Sequence, residues 1–273
     1  MAMKSRPRLK FIILDKKEDI NIMKKRVFNY EFAIALILTA AGGFLEAYSL
    51  YYRGFWGMMM TGNIVYAMMS IVNGDFKRLL IYIPVIFLFA VGVFLARLIE
   101  SKIAKDDKNK YQIIELAIII GILLIVMSIP TIHVNSIHDA DESAWPNILS
   151  NCLFAIGGGL LFRSFTTFGS SSYAPTTLTA NLSRFAVSTY EGIFGPNKEK
   201  GRRTAIQYAL LILNFVLSAA ACYAFYYYVW GKVEGDLLIS YFPNITLFIP
   251  LIIIVACLIM TIHKGKTQPV ENL

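Results

Sequence analysis

Apolar residues in this chain gather into long runs instead of recurring at an amphipathic period. They cover about 32 to 50, 79 to 96, 112 to 130, 147 to 162, 205 to 230 and 244 to 262. Crossing a hydrocarbon layer of roughly 30 Å takes about 20 apolar helical residues, so these six runs are predicted to span a membrane. Two further segments break the pattern. The segment 57 to 72 is interrupted by Thr61-Gly62-Asn63, and 174 to 191 carries Thr176, Thr177, Thr179, Asn181, Ser183, Arg184 and Ser188. Helical backbone bearing that many polar groups has to face protein or water. The pattern therefore predicts an all-α, polytopic membrane protein of about six transmembrane helices plus two broken or re-entrant helical segments.

Composition agrees. Of 273 residues 56% are hydrophobic and 16% charged, with a mean hydropathy of +0.57, which leaves little for a domain outside the membrane. A net charge of +8 suggests nucleic acid only if the basic groups share one folded surface; here they stand between the apolar runs, and no nucleic-acid partner is expected. Their placement instead orients the chain. If the two anomalous segments dip in and return, 20 basic residues fall inside and 4 outside; if both cross, the counts are 17 and 7. The loop 131 to 146, which has no Lys or Arg but carries Asp139, Asp141 and Glu142, lies outside only in the six-crossing arrangement. The predicted order is a basic cytoplasmic arm (1–30), a first membrane repeat (31–130), an acidic external loop (131–146), a second membrane repeat (147–262) and a cytoplasmic tail (263–273). The location implied is a cytoplasmic membrane with both termini cytoplasmic.

The anomalous segments correspond to one another. Gly42-Gly43 is followed by Thr61-Gly62-Asn63, and Gly157-Gly158-Gly159 by Thr179-Ala180-Asn181, at offsets of 116 and 118 residues. Three crossings separate equivalent points, and an odd number inverts the second copy. Inverted repeats with discontinuous helices are a common build of secondary transporters, with the site near the midplane. There the free amides of a half-helix N-terminus, with Thr hydroxyls and an Asn carboxamide, would form a polar pocket. The competing reading is that Thr-x-Asn caps a kinked helix and bonds to its neighbours.

Gly43-Phe44-Leu45-Glu46-Ala47, Phe55 and Met60-Thr61-Gly62-Asn63 resemble the signature of the YoaK family, bacterial integral-membrane proteins of unknown function, and Thr176-Thr177-Leu178-Thr179 matches its later threonine-rich motif. The resemblance runs from about 32 to 262. The chain departs from it at Glu46, where the family commonly has Asp; at Ala180, in place of glycine; and at Leu160 to Phe162, in place of a Gln-Asn pair. The resemblance implies a membrane location and a transport-like role, with no substrate named.

The candidate substrate-binding residues are Thr61, Gly62, Asn63, Thr179, Asn181, Glu46 and Arg184. Glu46, the one acid inside the first span, is either a proton- or cation-coupling group or the partner of Arg53 two turns on. Arg184 falls three residues after Asn181, near the same helical face, and could meet an anion; Arg163 reads as an interfacial arginine. His133, His138, Asp139, Asp141 and Glu142 match no metal-ligand spacing and read as a solvated acidic loop. Tyr51, Tyr52, Phe55, Trp56, Tyr226, Tyr227, Tyr228 and Trp230 read as interfacial aromatics. Cys152, Cys222 and Cys257 lie in apolar runs and imply no disulfide framework. No motif for hydrolysis or ATP-driven work is present, so neither an enzyme nor a cofactor is expected. The expected partners are the lipid bilayer, a small-molecule or ion substrate and, as an open alternative, a second copy of the chain. Together these readings point to a small-solute transporter or channel-like permease with a midplane site at the two Thr-x-Asn segments; the alternative is a non-transporting scaffold or sensor in which those segments are structural.

Overall fold

The computed structural model describes residues 29–103, 107–134, 140–230 and 238–267. Among them are eight α-helices: α1 (Tyr30–Arg53), α2 (Met60–Val72), α3 (Phe76–Leu98), α4 (Lys108–Met127), α5 (Trp145–Ser164), α6 (Leu178–Phe194), α7 (Lys198–Phe225) and α8 (Phe248–Thr267). Six are long and apolar enough to cross a membrane, and they coincide with the six predicted runs. The chain is an all-α, multi-pass membrane protein. The acidic-loop region holds a short antiparallel pair, Thr131–His133 with Leu238–Ser240. Of the segments outlined from sequence, the arm and the tail lie largely outside the described residues, as do His138 and Asp139 in the acidic loop.

Capping residues start several helices where the chain leaves an apolar run. The side chains of Asn29, Asp75, Asp107 and Asn197 accept from the backbone N–H of Phe32, Arg78, Lys110 and Lys200 at 2.8, 2.9, 2.9 and 3.1 Å, satisfying amides that have no partner within the helix. Gly54 ends α1 in the left-handed conformation, φ +91°, where any Cβ would be strained and would meet the Glu142 side chain.

Two groups of contacts define the ends of the bundle. At one end Arg53 reaches Pro130, Asn147 and Asn244, and Arg78 pairs with Glu142 at 2.9 Å. At the other, Lys264 pairs with Glu31 at 2.9 Å and Arg163 with Glu100 at 2.7 Å, while Lys108 donates to Thr167. The first end gathers the C-termini of α1, α4 and α7, the last through Tyr223 and Tyr226 against Tyr51 and Tyr52, and the N-termini of α3, α5 and α8; the second gathers their opposite ends. The six long helices therefore alternate in direction.

α1 and α5 form the interior: 72% and 67% of their apolar windows are buried, against 22% to 39% for the other four long helices. Those four keep large apolar side chains outward, such as Phe87, Phe94, Leu213, Leu217, Ile252 and Ile259, as lipid-facing helices must. α1 lies along α7 and α5 along α3, with α4 and α8 packed on each other. Glycine permits both inner crossings. A Cβ on Gly43 would stand 2.4 Å from the Phe215 carbonyl oxygen, and one on Gly159 would stand 2.3 Å from that of Phe89.

Candidate functional site

After Gly54 the chain turns back along α1. Ser49 Oγ accepts from the Gly57 N–H at 2.9 Å, and the carboxylate of Glu46 accepts from Met58 N–H at 3.2 Å and Met59 N–H at 3.1 Å. Glu46 stands seven residues, roughly 10 Å, inside the end of α1. From that depth α2 runs back out to the turn at Asn73 and Gly74, and α3 begins at the same end. α2 therefore enters and returns without crossing.

The second broken segment does the same from the opposite end. The stretch 165–177 leaves α5 and places the Pro175 carbonyl against Gly42, where a Cβ would stand 2.2 Å from the oxygen. α6 then returns to the end it came from, packing Gly192 against Gly201 and Arg202 at the start of α7. Gly42 and Glu46 are four residues apart on α1, so the two dips reach the interior about one helical turn from each other. Their packing is exchanged: the loop before α2 rests on Gly158 of α5 through Met58, and the loop before α6 rests on Gly42 of α1.

The asparagines of the two Thr-x-Asn segments close these dips. Asn63 donates from Nδ2 to the Trp56 carbonyl, and Asn181 donates to the Ala174 carbonyl at 2.8 Å while accepting from the Ala174 N–H at 3.0 Å. Each asparagine is fully buried and each staples the residue seven positions before it. Thr61 and Thr179 are exposed, and Gly62 provides the flat surface on which the Trp56 ring lies. The seven predicted residues are thus not gathered into one pocket. The physical reason is that a re-entrant loop must first satisfy its own backbone in a medium without water, and the two carboxamides do that.

A cavity of about 390 Å³ lies between α1 and α7, beneath the start of both half-helices, lined by Gly43, Glu46, Ala47, Leu50, Tyr51, Trp56, Met59, Leu178, Phe215, Val216, Ala219, Ala220 and Tyr223. Of the predicted residues only Glu46 borders it. Glu46 is 2% exposed and is the cavity's one charged group. No basic side chain is paired with it among the described residues, and the expected ion pair with Arg53 does not form.

Arg53 is instead engaged elsewhere. Fully buried, it donates to the carbonyls of Pro130 at 2.8 Å and Ile129 at 2.9 Å and to Asn244 Oδ1 at 2.9 Å. A cation at the C-terminal end of α4 meets the negative end of that helix's dipole, which is why no carboxylate is needed. Asn244 also accepts from Tyr48 at 2.6 Å and donates to Ile129 O at 2.7 Å, while Asn151 donates to Arg53 O at 3.2 Å. Tyr52 and Tyr226, expected at the interface, are buried here, with ring centroids 4.9 Å apart.

Arg184 is half-buried on α6 and is absent from the cavity lining. Arg163 is held by Glu100. His133 is buried in the strand pair, and Glu142 is taken by Arg78. Sequence reasoning missed the Arg53 junction and a second buried carboxyl, Glu115 on α4, 1% exposed. The signals were present: an acid inside the run 112 to 130, and Asn147 and Asn151 four residues apart at the start of a span.

The chain belongs to a family of membrane proteins. The model for the family described as protein of unknown function (DUF1275) matches residues 34–260, in agreement with the YoaK resemblance of the first-half motif. No curated protein and no solved structure matches the chain.

Proposed function

We propose that this protein is a small-solute permease built from two inverted repeats, with the cavity beside Glu46 as its solute site. One observation carries the reading: two loops entering from opposite ends exchange their packing, Met58 on Gly158 and Pro175 on Gly42, and both half-helices begin at the rim of one cavity through Met59 and Leu178. Backbone that is not helical at membrane depth is tolerated where it is buried or lines a cavity, and broken helices at a repeat interface are where transporters hold solutes. The two halves would rock about this line, Glu46 being the coupling group. The reading includes no chemical step and no cofactor.

The end carrying Lys108, Arg163, Lys198, Lys200, Arg203 and Lys264 is assigned to the cytoplasm by the positive-inside rule, which makes both termini cytoplasmic; the family resemblance makes the membrane a bacterial one. A second reading, a scaffold or sensor that transports nothing, is favoured by the asparagines, which are spent on their own loops.

Flux in reconstituted vesicles tests the permease reading. The parent should dissipate a gradient of at least one solute from a panel of amines, amino acids, nucleobases and small anions. Ala219→Phe, which fills the cavity and leaves the Glu46 carboxyl in the chain, should stop it. A folded parent that dissipates none of these gradients sinks the permease and leaves the scaffold.

A further inference from the structure

We infer that the cavity selects an organic monocation: an ammonium group on an apolar or aromatic body. The inference rests on the cavity being the solute site proposed above and adds the class of solute. The lining offers one carboxyl group, Glu46, and no basic one; four aromatic residues, Tyr51, Trp56, Phe215 and Tyr223; and otherwise aliphatic residues, a methionine and glycine.

The two half-helix N-termini at its rim would ordinarily favour an anion. At α2 that preference is already met from within the chain, because the Glu46 carboxylate takes the Met58 and Met59 amides, one on each oxygen. A carboxylate accepts about two hydrogen bonds per oxygen, so capacity for a donor remains on both after the amides are served. An incoming anion would find no basic group to pair with, whereas an ammonium would give the Glu46 carboxylate the counter-ion that the lining lacks, with aromatic faces around it, the arrangement that attracts alkylammonium groups. At about 390 Å³ the cavity falls within the size range of small-molecule sites, which begins at roughly 300 Å³. The ammonium group is therefore assigned to Glu46 and the apolar body to the Tyr51, Trp56 and Tyr223 side.

Phenethylamine, its neutral counterpart 2-phenylethanol, and phenylacetate serve as probes, titrated against the full chain in maltoside micelles, which carry no amine. Trp56 emission reports binding in a W145F/W230F background. Phenethylamine should saturate the signal with at least about tenfold higher affinity than the alcohol, as expected for a desolvated charge pair, and phenylacetate should give no response. Glu46→Gln should reduce the amine's advantage to near onefold. Because a glutamine cannot accept from both loop amides and could unsettle the fold, the comparison of the three probes on the parent decides without it.

Equal affinity for amine and alcohol, or preference for phenylacetate, overturns the inference. So does binding of phosphatidylethanolamine in the same micelles with no response to the free amine, which would make the groove a lipid site. The permease reading fails separately: if amine binds but no gradient is dissipated, the class of ligand stands and transport falls. If another solute is carried and the amine does not bind, transport stands and the class falls.

Discussion

Replacing Gly42 with alanine adds one methyl group at the point where the second dip touches α1. The added Cβ would lie 2.2 Å from the Pro175 carbonyl oxygen and 3.1 Å from its carbon. Backbone cannot rotate away as a side-chain tip can, so α1 and the loop must separate by about 1 Å to restore ordinary contact. Overpacking of this kind costs about 1–3 kcal/mol. The usual helical advantage of alanine over glycine, up to about 1 kcal/mol in water, offsets little, because a segment confined to the bilayer stays helical when tertiary packing is lost. Gly157→Ala is the matched control: its nearest neighbour would be Ile122 Cδ1 at 3.8 Å, an ordinary contact, so it should be neutral or slightly stabilising. At roughly 2–4 °C per kcal/mol for a chain near this size, Gly42→Ala should lower the apparent Tm in detergent by several degrees, read as loss of the monodisperse peak by fluorescence-detected size exclusion after heating. Gly157→Ala should stay within a degree or rise. If the two glycines behave alike, or Gly42→Ala is as stable as the parent, the close approach of the second dip to α1 is wrong.

Other outcomes follow from the same geometry. Asn181→Ala removes two hydrogen bonds to buried backbone and Asn63→Ala removes one to the Trp56 carbonyl; at about 1–3 kcal/mol per orphaned group, Asn181→Ala should lower the Tm more, and the reverse order would mean that the staples are not what hold the loops. Arg53→Met should cost about 1–3 kcal/mol in denaturant titration in mixed micelles, since it strips the Pro130 carbonyl of this donor while Ile129 and Asn244 each keep another partner; an unchanged midpoint would argue against the junction. Single cysteines at Asn73 and Ser143 should react with a membrane-impermeant maleimide from one side and those at Lys110 and Asn197 from the other; Asn73 labelling with Lys110 would make α2 a crossing helix.

Much of the architecture was legible in the chain. Hydropathy over some 20 residues is a property of composition, so Tyr30–Arg53 and the other five long helices could be read directly, and the polar 174 to 191 announced itself as unfit for lipid. Asn63 and Asn181, singled out by their recurring Thr-x-Asn setting, each bond to the residue seven positions before them. The individual site was less legible. Thr61 and Thr179 looked like ligands because they are polar within apolar surroundings, yet both are exposed; composition says that a polar group is present and nothing about which way it faces.

Sequence alone therefore determined how many long apolar helices the chain supplies and which two segments depart from that pattern, because these depend on local solvation along the chain. Only the tertiary structure decided what Glu46, Arg53 and the two asparagines bond to. Glu46 and Arg53 are seven residues apart and opposite in charge, which invites pairing, but each met the unsatisfied backbone of a different segment first: Glu46 the amides before α2, Arg53 the carbonyls ending α4. In a medium with no water to satisfy them, exposed backbone dipoles outcompete a pairing that the one-dimensional spacing would suggest.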